Sequence, residues 1–385
     1  MSENVLSVDV AIVGAGPVGM SLALALALAD GRHRVLLLDN RQRHAGASDP
    51  RALALAHGTR QILERLGAWN AGAATSIDSI HISQRGGFGR TLIDSREHGI
   101  DALGYVMRYR DLLAALDAAI EPVQRMYDCR VGRVTADSDA AEITLSGDGA
   151  PQRVVASLVV HAEGSAAGDP DVRVCDYRQH AVVAEVRPLP GHGHRAWERF
   201  TPDGPLALLP LGDDYSLVFT VPPEKAAALL DLDESCFLAA LRKQFGRRLD
   251  FVASGPRASF PLALRVRQHL VGTRQAWIGN AAQSLHPVSG QGFNLGLRDA
   301  WELASALLAS DGEAGDGRTL AAYAAGRELD RKASIAFTDG IVRIFGNDLA
   351  PLRAARGAGL LALDLVPPLR HFVARRMIWG ARASP

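Results

Sequence analysis

VDVAIVGAGPVGMSLALALALA, residues 8–29, decides the fold. Residues 8–13 are apolar apart from Asp9 and mostly β-branched, which is how a buried parallel strand reads. Gly14-Ala15-Gly16-Pro17-Val18-Gly19 follows, a G-x-G-x-x-G turn. The run SLALALALA at 21–29 alternates like a strand. Ala and Leu are strong helix formers, however, and a glycine turn precedes them, so a helix to about residue 30 is expected. RVLLLD at 34–39 is the next apolar strand, and it ends on Asp39. Each part has a physical reason. Gly14 permits the tight turn, Gly16 lets backbone approach a pyrophosphate, and Gly19 lets helix and strand pack closely. The helix N-terminus then faces the phosphates. Asp39 stands 20 residues after Gly19, where an acid accepts ribose hydroxyls. Strand, turn, helix, strand and acid in register imply a dinucleotide-binding unit. The motif has no second copy, so one dinucleotide is held permanently and any second one binds without a Rossmann unit of its own.

The chain has 385 residues, a length for about two domains at roughly 150 residues each. It is 48% hydrophobic, enough for a large core. Lys+Arg and Asp+Glu balance at 42 each, which argues against a general nucleic-acid binder. Cys129, Cys175 and Cys236 form no C-x-x-C pair. A disulfide framework, a zinc ribbon and a dithiol redox site are therefore not expected, and the pattern fits a reducing cytoplasm. The opening MSENVLSVDVAIVGAG lacks a basic n-region and an A-x-A site, so no signal peptide is expected. The apolar run at 21–29 is too short to span a bilayer.

A second glycine-rich stretch, GNAAQSLHPVSGQGFNLGLR, occupies 279–298. It ends an apolar strand, AWI at 276–278, and runs into a helix expected from about Phe293. So little side chain ahead of a helix implies a large flat group against the backbone. Between these poles, Ser48–Leu55 leads into a helix at about 57–67. Arg51 there either reaches a phosphate or is an ordinary surface arginine. Residues 175–260 change character. AVVAEV (181–186), LALLPL (206–211) and YSLVFTV (215–221) alternate with turn signals, which reads as an antiparallel sheet. A helix at about 224–246 and SGPRASFPLAL (254–264) complete that region. Residues 320–380 read as helical, apolar and rich in arginine. Such a tail suits a membrane surface or a partner protein, or else caps the nucleotide domain with a solvated basic face.

These motifs together resemble the single-component flavin monooxygenases related to p-hydroxybenzoate hydroxylase. DPRALALAHGTRQILERLGAW (49–69), LGYVMRYRDL (103–112), ERFTPDGPLALLPL (198–211) and GNAAQSLHPVSGQGFNLGLRDA (279–300) point further, to the ubiquinone-biosynthesis hydroxylases, in particular those acting on 2-polyprenyl-6-methoxyphenols. The resemblance runs over nearly the whole chain. It implies an α/β fold: a Rossmann-like FAD-binding domain with an inserted antiparallel-sheet substrate domain and a helical C-terminus. The expected division is 1–74, 101–172 and 265–320 for FAD, 75–100 and 173–264 for substrate, and 321–385 for the helical end.

The resemblance also assigns roles. Gly14, Gly16, Gly19 and Asp39 would hold the FAD pyrophosphate and ribose, with Arg51 and Arg110 as further contacts. Glu163 stands where the family has the aspartate of its "DG" motif, and Ala167 where it has a serine. That departure touches pyridine-nucleotide handling. Gly279 and Asn280 replace the family's "GD", and Asn280 would meet ribityl hydroxyls. Ser284–Gly290 would pass the ring with Pro287 against it. Gly290 and Gly292 would turn backbone amides toward the flavin pyrimidine edge. The helix beginning at Phe293 would stabilise negative charge at flavin N1 and O2, and Asn294 would add a polar contact. His286 is either an acid–base group or a structural hydrogen-bonder, the latter preferred because flavin hydroxylation asks little of side chains. Phe200, Leu209 and Phe219 are pocket candidates, with core packing the commoner role for each.

The expected reaction uses NADPH or NADH and O2 to hydroxylate C1 of a 2-polyprenyl-6-methoxyphenol. Other ubiquinone-biosynthesis proteins and a membrane surface would be its neighbours, in the cytoplasm or peripheral at the inner membrane. Two alternatives stay open. One is a hydroxylase for another ring position or a soluble phenol. The other is a flavin-binding scaffold with little turnover, to which Glu163 and Ala167 lend weight. A halogenase is disfavoured, since no W-x-W-x-I-P segment occurs.

Overall fold

In the computed structural model, which describes residues 5–29, 31–147, 153–164, 168–246, 248–345 and 350–380, Val5–Val13 is the central strand of the nucleotide domain. It pairs in parallel with Val35–Leu38 on one side and Arg153–His161 on the other. Gln124–Met126 and Gln275–Trp277 extend the parallel sheet outward. An antiparallel ribbon, Arg130–Ala136 with Ala141–Ser146, joins it at Arg153–His161. Ala167 lies outside the described residues.

Helices are labelled in chain order. They are α1 (Pro17–Ala27), α2 (His57–Arg65), α3 (Tyr109–Ala119), α4 (Pro223–Asp231), α5 (Glu234–Phe245), α6 (Gln291–Ala309), α7 (Gly317–Phe345), α8 (Ala350–Leu365) and α9 (Pro367–Trp379). The alternating run at 21–29 is helical, and the alternation has a reason. Leu22, Leu24 and Leu26 are all buried, because α1 is enclosed by the sheet, α3 and α6 and needs no polar face. Gly296, in the middle of α6, sets how near that helix comes. A Cβ there would stand 3.0 Å from the Gly279 Cα and 3.0 Å from Val18. The helix starts at Gln291, two residues before the expected Phe293.

The second sheet runs in the order 283–284, 258–267, 172–189, 214–221, 205–211, 195–200, 79–84, 90–94. It is antiparallel except where Arg195–Phe200 runs parallel to Ser79–Gln84, a junction the turn pattern does not announce. Its two faces divide by alternation. Trp197, Leu206, Leu208, Leu217 and Phe219 pack against Phe237, Leu241 and Phe245 of α5. The opposite face looks into a cavity. The helix expected over 224–246 is interrupted. Leu232 is extended, and the Asp233 side chain caps α5 by accepting from the Cys236 amide at 2.8 Å.

A bidentate ion pair, Arg108 to Glu185 at 2.8 and 2.6 Å, ties a small three-stranded sheet (52–56, 104–108, 75–77) to the large one. Behind the 279–298 stretch lies a buried ionic knot. Arg327 is fully buried and pairs with Asp299 at 2.9 Å, Asp330 at 2.9 Å and Glu302 at 3.1 Å. These carboxylates outweigh the burial that opposes the charge and hold the guanidinium firmly protonated.

The C-terminal helices are not a detached tail. Thr91 donates to the Leu360 carbonyl at 2.6 Å, and the His57 and Trp379 rings meet edge to face at 4.8 Å. Leu365, Val366, Leu369 and Phe372 remain exposed on the outer side. Among the described residues no helix is long and apolar enough to cross a membrane.

Candidate active site

The three glycines of the first turn differ in what demands them. Gly14 has φ of +110°, and a Cβ would strike Ala162 and Glu163 backbone at 2.6 Å. Gly19 would put a Cβ 2.0 Å from the Gly14 carbonyl oxygen. Gly16 is different, for its Cβ would meet only the Tyr109 hydroxyl, at 4.0 Å. Among the described residues no atom stands close enough to require glycine there, which leaves room for an incoming group. Gly292, at the start of α6, likewise has nothing within 4 Å. Both glycines border one cavity of about 1100 Å³. Two helix N-termini open at it without side-chain caps, α1 after Gly16 and α6 after Gly290. Uncapped amides carry the positive end of a helix dipole and suit an anion or an electron-rich edge.

Asp39 is buried at the end of its strand. One carboxylate oxygen accepts from the Ala15 amide at 2.7 Å, and both accept from Arg41. Burial works against the ionised form, but these donors hold the carboxyl below its usual range. Arg51 borders the cavity, chelated by Asp49 and lying 5.3 Å from the Tyr109 ring and 5.4 Å from the Phe260 ring. Arg110 does not join it. The helix begins at Tyr109, so Arg110 is turned to solvent in the first turn of α3, 3.8 Å from Asp111. It borders only a small recess of about 70 Å³ beside Asp39 and Arg41. Arg41 and Tyr109, which sequence reasoning passed over, line the main cavity instead. Arg41 stands two residues after the strand-end acid, and that spacing was its one available signal. Glu163 also lines the cavity, with the His161 Nδ1 at 3.2 Å, and His161 stacks on Trp277 at 4.9 Å.

In the second glycine stretch, Gly279 takes φ of +60° and Asn280 extends an exposed amide into the cavity. Pro287, Gly290 and Phe293 border it as well. Asn294 lines the cavity too, with its amide engaged within the protein. Its Oδ1 accepts from the Ala56 amide at 2.8 Å and the Thr59 hydroxyl at 2.6 Å. Its Nδ2 donates to the carbonyls of Ala54 at 2.9 Å and Gly290 at 2.6 Å. With both donors and both acceptor positions in use, it braces the loop and offers a ligand nothing. His286 is 1% exposed and does not border the cavity. Its Nδ1 accepts from the Val288 amide at 3.1 Å, and burial lowers its pKa to about 4. It is neutral at physiological pH and braces the turn before Val288.

On the substrate side the exposed face of the large sheet presents Phe200, Ala207, Leu209 and Val218. Phe219 points the other way, into the α5 core, because successive strand residues alternate faces. The far wall is built by α7, α8 and α9 through Phe345, Leu360, Ala374 and Ile378. Phe345 stacks on Phe200 with ring centroids 3.6 Å apart. The cavity is thus one continuous volume. Its first end is glycine backbone and helix N-termini, and its second end is an almost wholly apolar chamber. At about 1100 Å³ it exceeds the usual ~300–1,000 Å³ of a single-ligand pocket. It therefore suits a flat cofactor together with a second, apolar molecule. Glu198 is the exception on that apolar face, a charged residue in the quoted ERF segment to which the sequence reading gave no role.

Comparisons agree with this arrangement. A protein-family model described as "FAD binding domain" matches residues 7–338. The chain is 35% identical to the ubiquinone hydroxylase UbiL of Rhodospirillum rubrum, across 98% of this chain and 91% of that one. It is 30% identical to the 3-demethoxyubiquinol 3-hydroxylase of Escherichia coli, across 94% and 96%. Among solved structures, p-nitrophenol 4-monooxygenase PnpA from Pseudomonas putida DLL-E4 superposes with a TM-score of 0.79 at 19% identity, covering 98% of this chain and 100% of that one. At that identity the likeness speaks for the fold.

Proposed function

The chain belongs to the FAD binding domain family and is an FAD-dependent monooxygenase, and from that premise we propose that it hydroxylates a polyprenylated phenol in ubiquinone biosynthesis, a 2-polyprenyl-6-methoxyphenol, at the carbon para to its hydroxyl, which is C1 of the quinone ring. The observation that carries the reading is the single cavity joining the glycine cradle to an apolar chamber. A phenol with a prenyl tail is flat and apolar at the ring and apolar beyond it, which is what the second end of the cavity accommodates.

In this reading Gly16 and the α1 N-terminus receive the FAD pyrophosphate, and Asp39 receives the ribose. Asn280 takes the ribityl chain, and Pro287, Gly290 and Gly292 border the ring. The bound flavin supplies the redox chemistry, taking electrons from NADPH or NADH and delivering one oxygen atom of O2. The protein's share is placement and dryness. The α6 N-terminus stabilises negative charge on the ring edge. Ile80, Leu209 and Phe345 keep water from the reacting centre and hold the phenol against the flavin.

Anaerobic stopped-flow reduction of the FAD-loaded protein, with and without a short-tailed 2-prenyl-6-methoxyphenol, tests this directly. Reduction accelerated by the phenol, followed by benzoquinol on admission of O2, is the expected result. Flavin that neither NADPH nor NADH reduces would favour a scaffold role and sink the reading. A second ring position is favoured by one observation, that the Escherichia coli relative is named for a 3-hydroxylation. NMR of the product distinguishes the two.

A further inference from the structure

Glu198 lies on the cavity face of Arg195–Phe200, between Ile82 and Ala207 on the neighbouring strands. Ala196 and Phe200, the residues two away on the same face, are apolar, as are Val218 and Leu209 beyond. The pattern of this face therefore asks for an apolar residue at 198. Oε1 of Glu198 is shut off from solvent and has no hydrogen-bond partner among the described residues. A carboxylate so placed is a cost to folding that any aliphatic side chain would avoid. Every other charged group bordering the cavity has an evident partner or lies toward the cradle. Arg41 and Arg51 are held by Asp39 and Asp49, Glu163 by His161, and Arg356 of α8 by the Ile344 carbonyl. Glu198 borders the chamber assigned to the phenol, and it is the charged residue there whose carboxylate has an oxygen without a partner among the described residues.

We propose that Glu198 is the general base of the hydroxylation, accepting the phenolic proton as the ring is attacked. The inference rests on the phenol hydroxylase reading above. As the new C–O bond forms, the oxygen–oxygen bond breaks, its second oxygen leaving as water with the electrons that the pyridine nucleotide supplied, while the phenol O–H bond breaks and its proton passes to a carboxylate oxygen of Glu198. The electron pair left on the phenol oxygen feeds the ortho and para carbons, which are the ones an electrophilic oxygen attacks. No further oxidant or reductant is needed beyond O2 and the pyridine nucleotide of the established activity. The environment supports the role. Burial raises the Glu198 pKa to about 7, with no charged neighbour contributing. A base poised near the working pH is the most effective one. The flanking Ile82 and Ala207 carry no charge, and Arg356 of α8, on the same cavity, lies over the Phe345 ring at 5.5 Å.

The test compares wild type, Glu198→Gln and Glu198→Asp, all FAD-loaded, with a short-tailed 2-prenyl-6-methoxyphenol. Hydroxylated product and hydrogen peroxide are counted per NADPH consumed from pH 5 to 9. Glu198→Gln is expected to bind FAD and show phenol-stimulated flavin reduction like wild type. Its product yield should fall by about 10²-fold or more, with peroxide rising in its place. Wild-type kcat/KM should drop as pH falls through about 7. That limb should vanish in Glu198→Gln and return, at lower rate, in Glu198→Asp. Thermal denaturation supplies a reading that a structural role would reverse: Glu198→Gln should melt higher than wild type at pH 8, because it removes a buried charge. A Glu198→Gln enzyme with wild-type yield and an intact limb overturns the proposal, and so does one that melts lower at pH 8. Wild type that makes no hydroxylated product overturns the phenol reading itself, and this proposal with it.

Discussion

The carboxylate of Asp299 accepts the backbone amide of Gly279 at 3.2 Å, so a residue in the middle of α6 holds the turn that presents Asn280. The same carboxylate accepts from Gln283 at 2.6 Å and from Arg327 at 2.9 Å. The cofactor-side turn is therefore anchored to a buried ionic knot on α7. Asp299→Asn keeps the shape but turns one acceptor into a donor facing these groups. It is expected to cost about 3 kcal/mol, the loss typical of breaking a buried pair, and to weaken FAD binding. Urea denaturation and flavin retention on gel filtration measure both.

Two of the three glycines of the first turn should separate folding from binding. Gly16→Ala meets only the Tyr109 hydroxyl at 4.0 Å, so the FAD-free protein should melt near the wild-type temperature while FAD affinity collapses. Gly19→Ala collides with the Gly14 carbonyl at 2.0 Å and should fail to fold. Circular dichroism melts beside flavin titration read the difference. A Gly16→Ala protein that binds FAD normally would remove the pyrophosphate from that position.

His286 and His81 are both buried, with pKa lowered to about 4 by burial. Between that value and the ordinary 6.5 the unfolded chain binds protons that the folded chain does not. Stability should therefore fall as pH drops from about 6.5 toward 4, by up to about 3 kcal/mol for each histidine. His286→Asn keeps an acceptor for the Val288 amide, and it should flatten its share of that slope while hydroxylation continues. Equilibrium denaturation from pH 4 to 8 checks the slope. Loss of turnover in His286→Asn with unchanged stability would restore a chemical role for the imidazole.

Phe345 closes the chamber by stacking on Phe200. Phe345→Ala should cost about 3 kcal/mol through the space it leaves. It should also admit water beside the flavin, so that more of the NADPH consumed ends as hydrogen peroxide and less as product. The ratio of peroxide to product, measured with saturating phenol, should rise. An unchanged ratio would mean that α7 does not seal the site.

The nucleotide half could be read from the chain because its requirements are local. Gly19 is dictated by the Gly14 carbonyl within the same strand–turn–helix unit, Gly14 by the positive φ of the turn itself, and Asp39 by the end of the next strand. The 279–298 stretch was legible for the same reason, as a glycine-rich loop with little side chain ahead of a helix. What misled were roles fixed by distant partners. Asn294 carries the right chemistry for a ligand but gives all of it to Ala54, Ala56, Thr59 and Gly290, about 240 residues away for most. Phe219 and Phe200 look alike in sequence, and only strand register sends one to the α5 core and the other to the cavity. Arg110 lies outside the main cavity because α3 begins at Tyr109 and its first turn leaves Arg110 exposed. Glu198 left a signal that was not used, one acid on an otherwise apolar face of a strand.

The apolar chamber has a bearing on how the protein is handled at the bench. Its walls are aliphatic and aromatic, and such walls do not distinguish one hydrocarbon chain from another. A detergent tail or a fatty acid would satisfy Ile80, Leu360 and Ile378 as well as the proposed prenyl chain would. Solubilising agents are thus competitive ligands for the very volume being assayed, and short-tailed phenols in detergent-free buffer give the cleaner view of the chemistry.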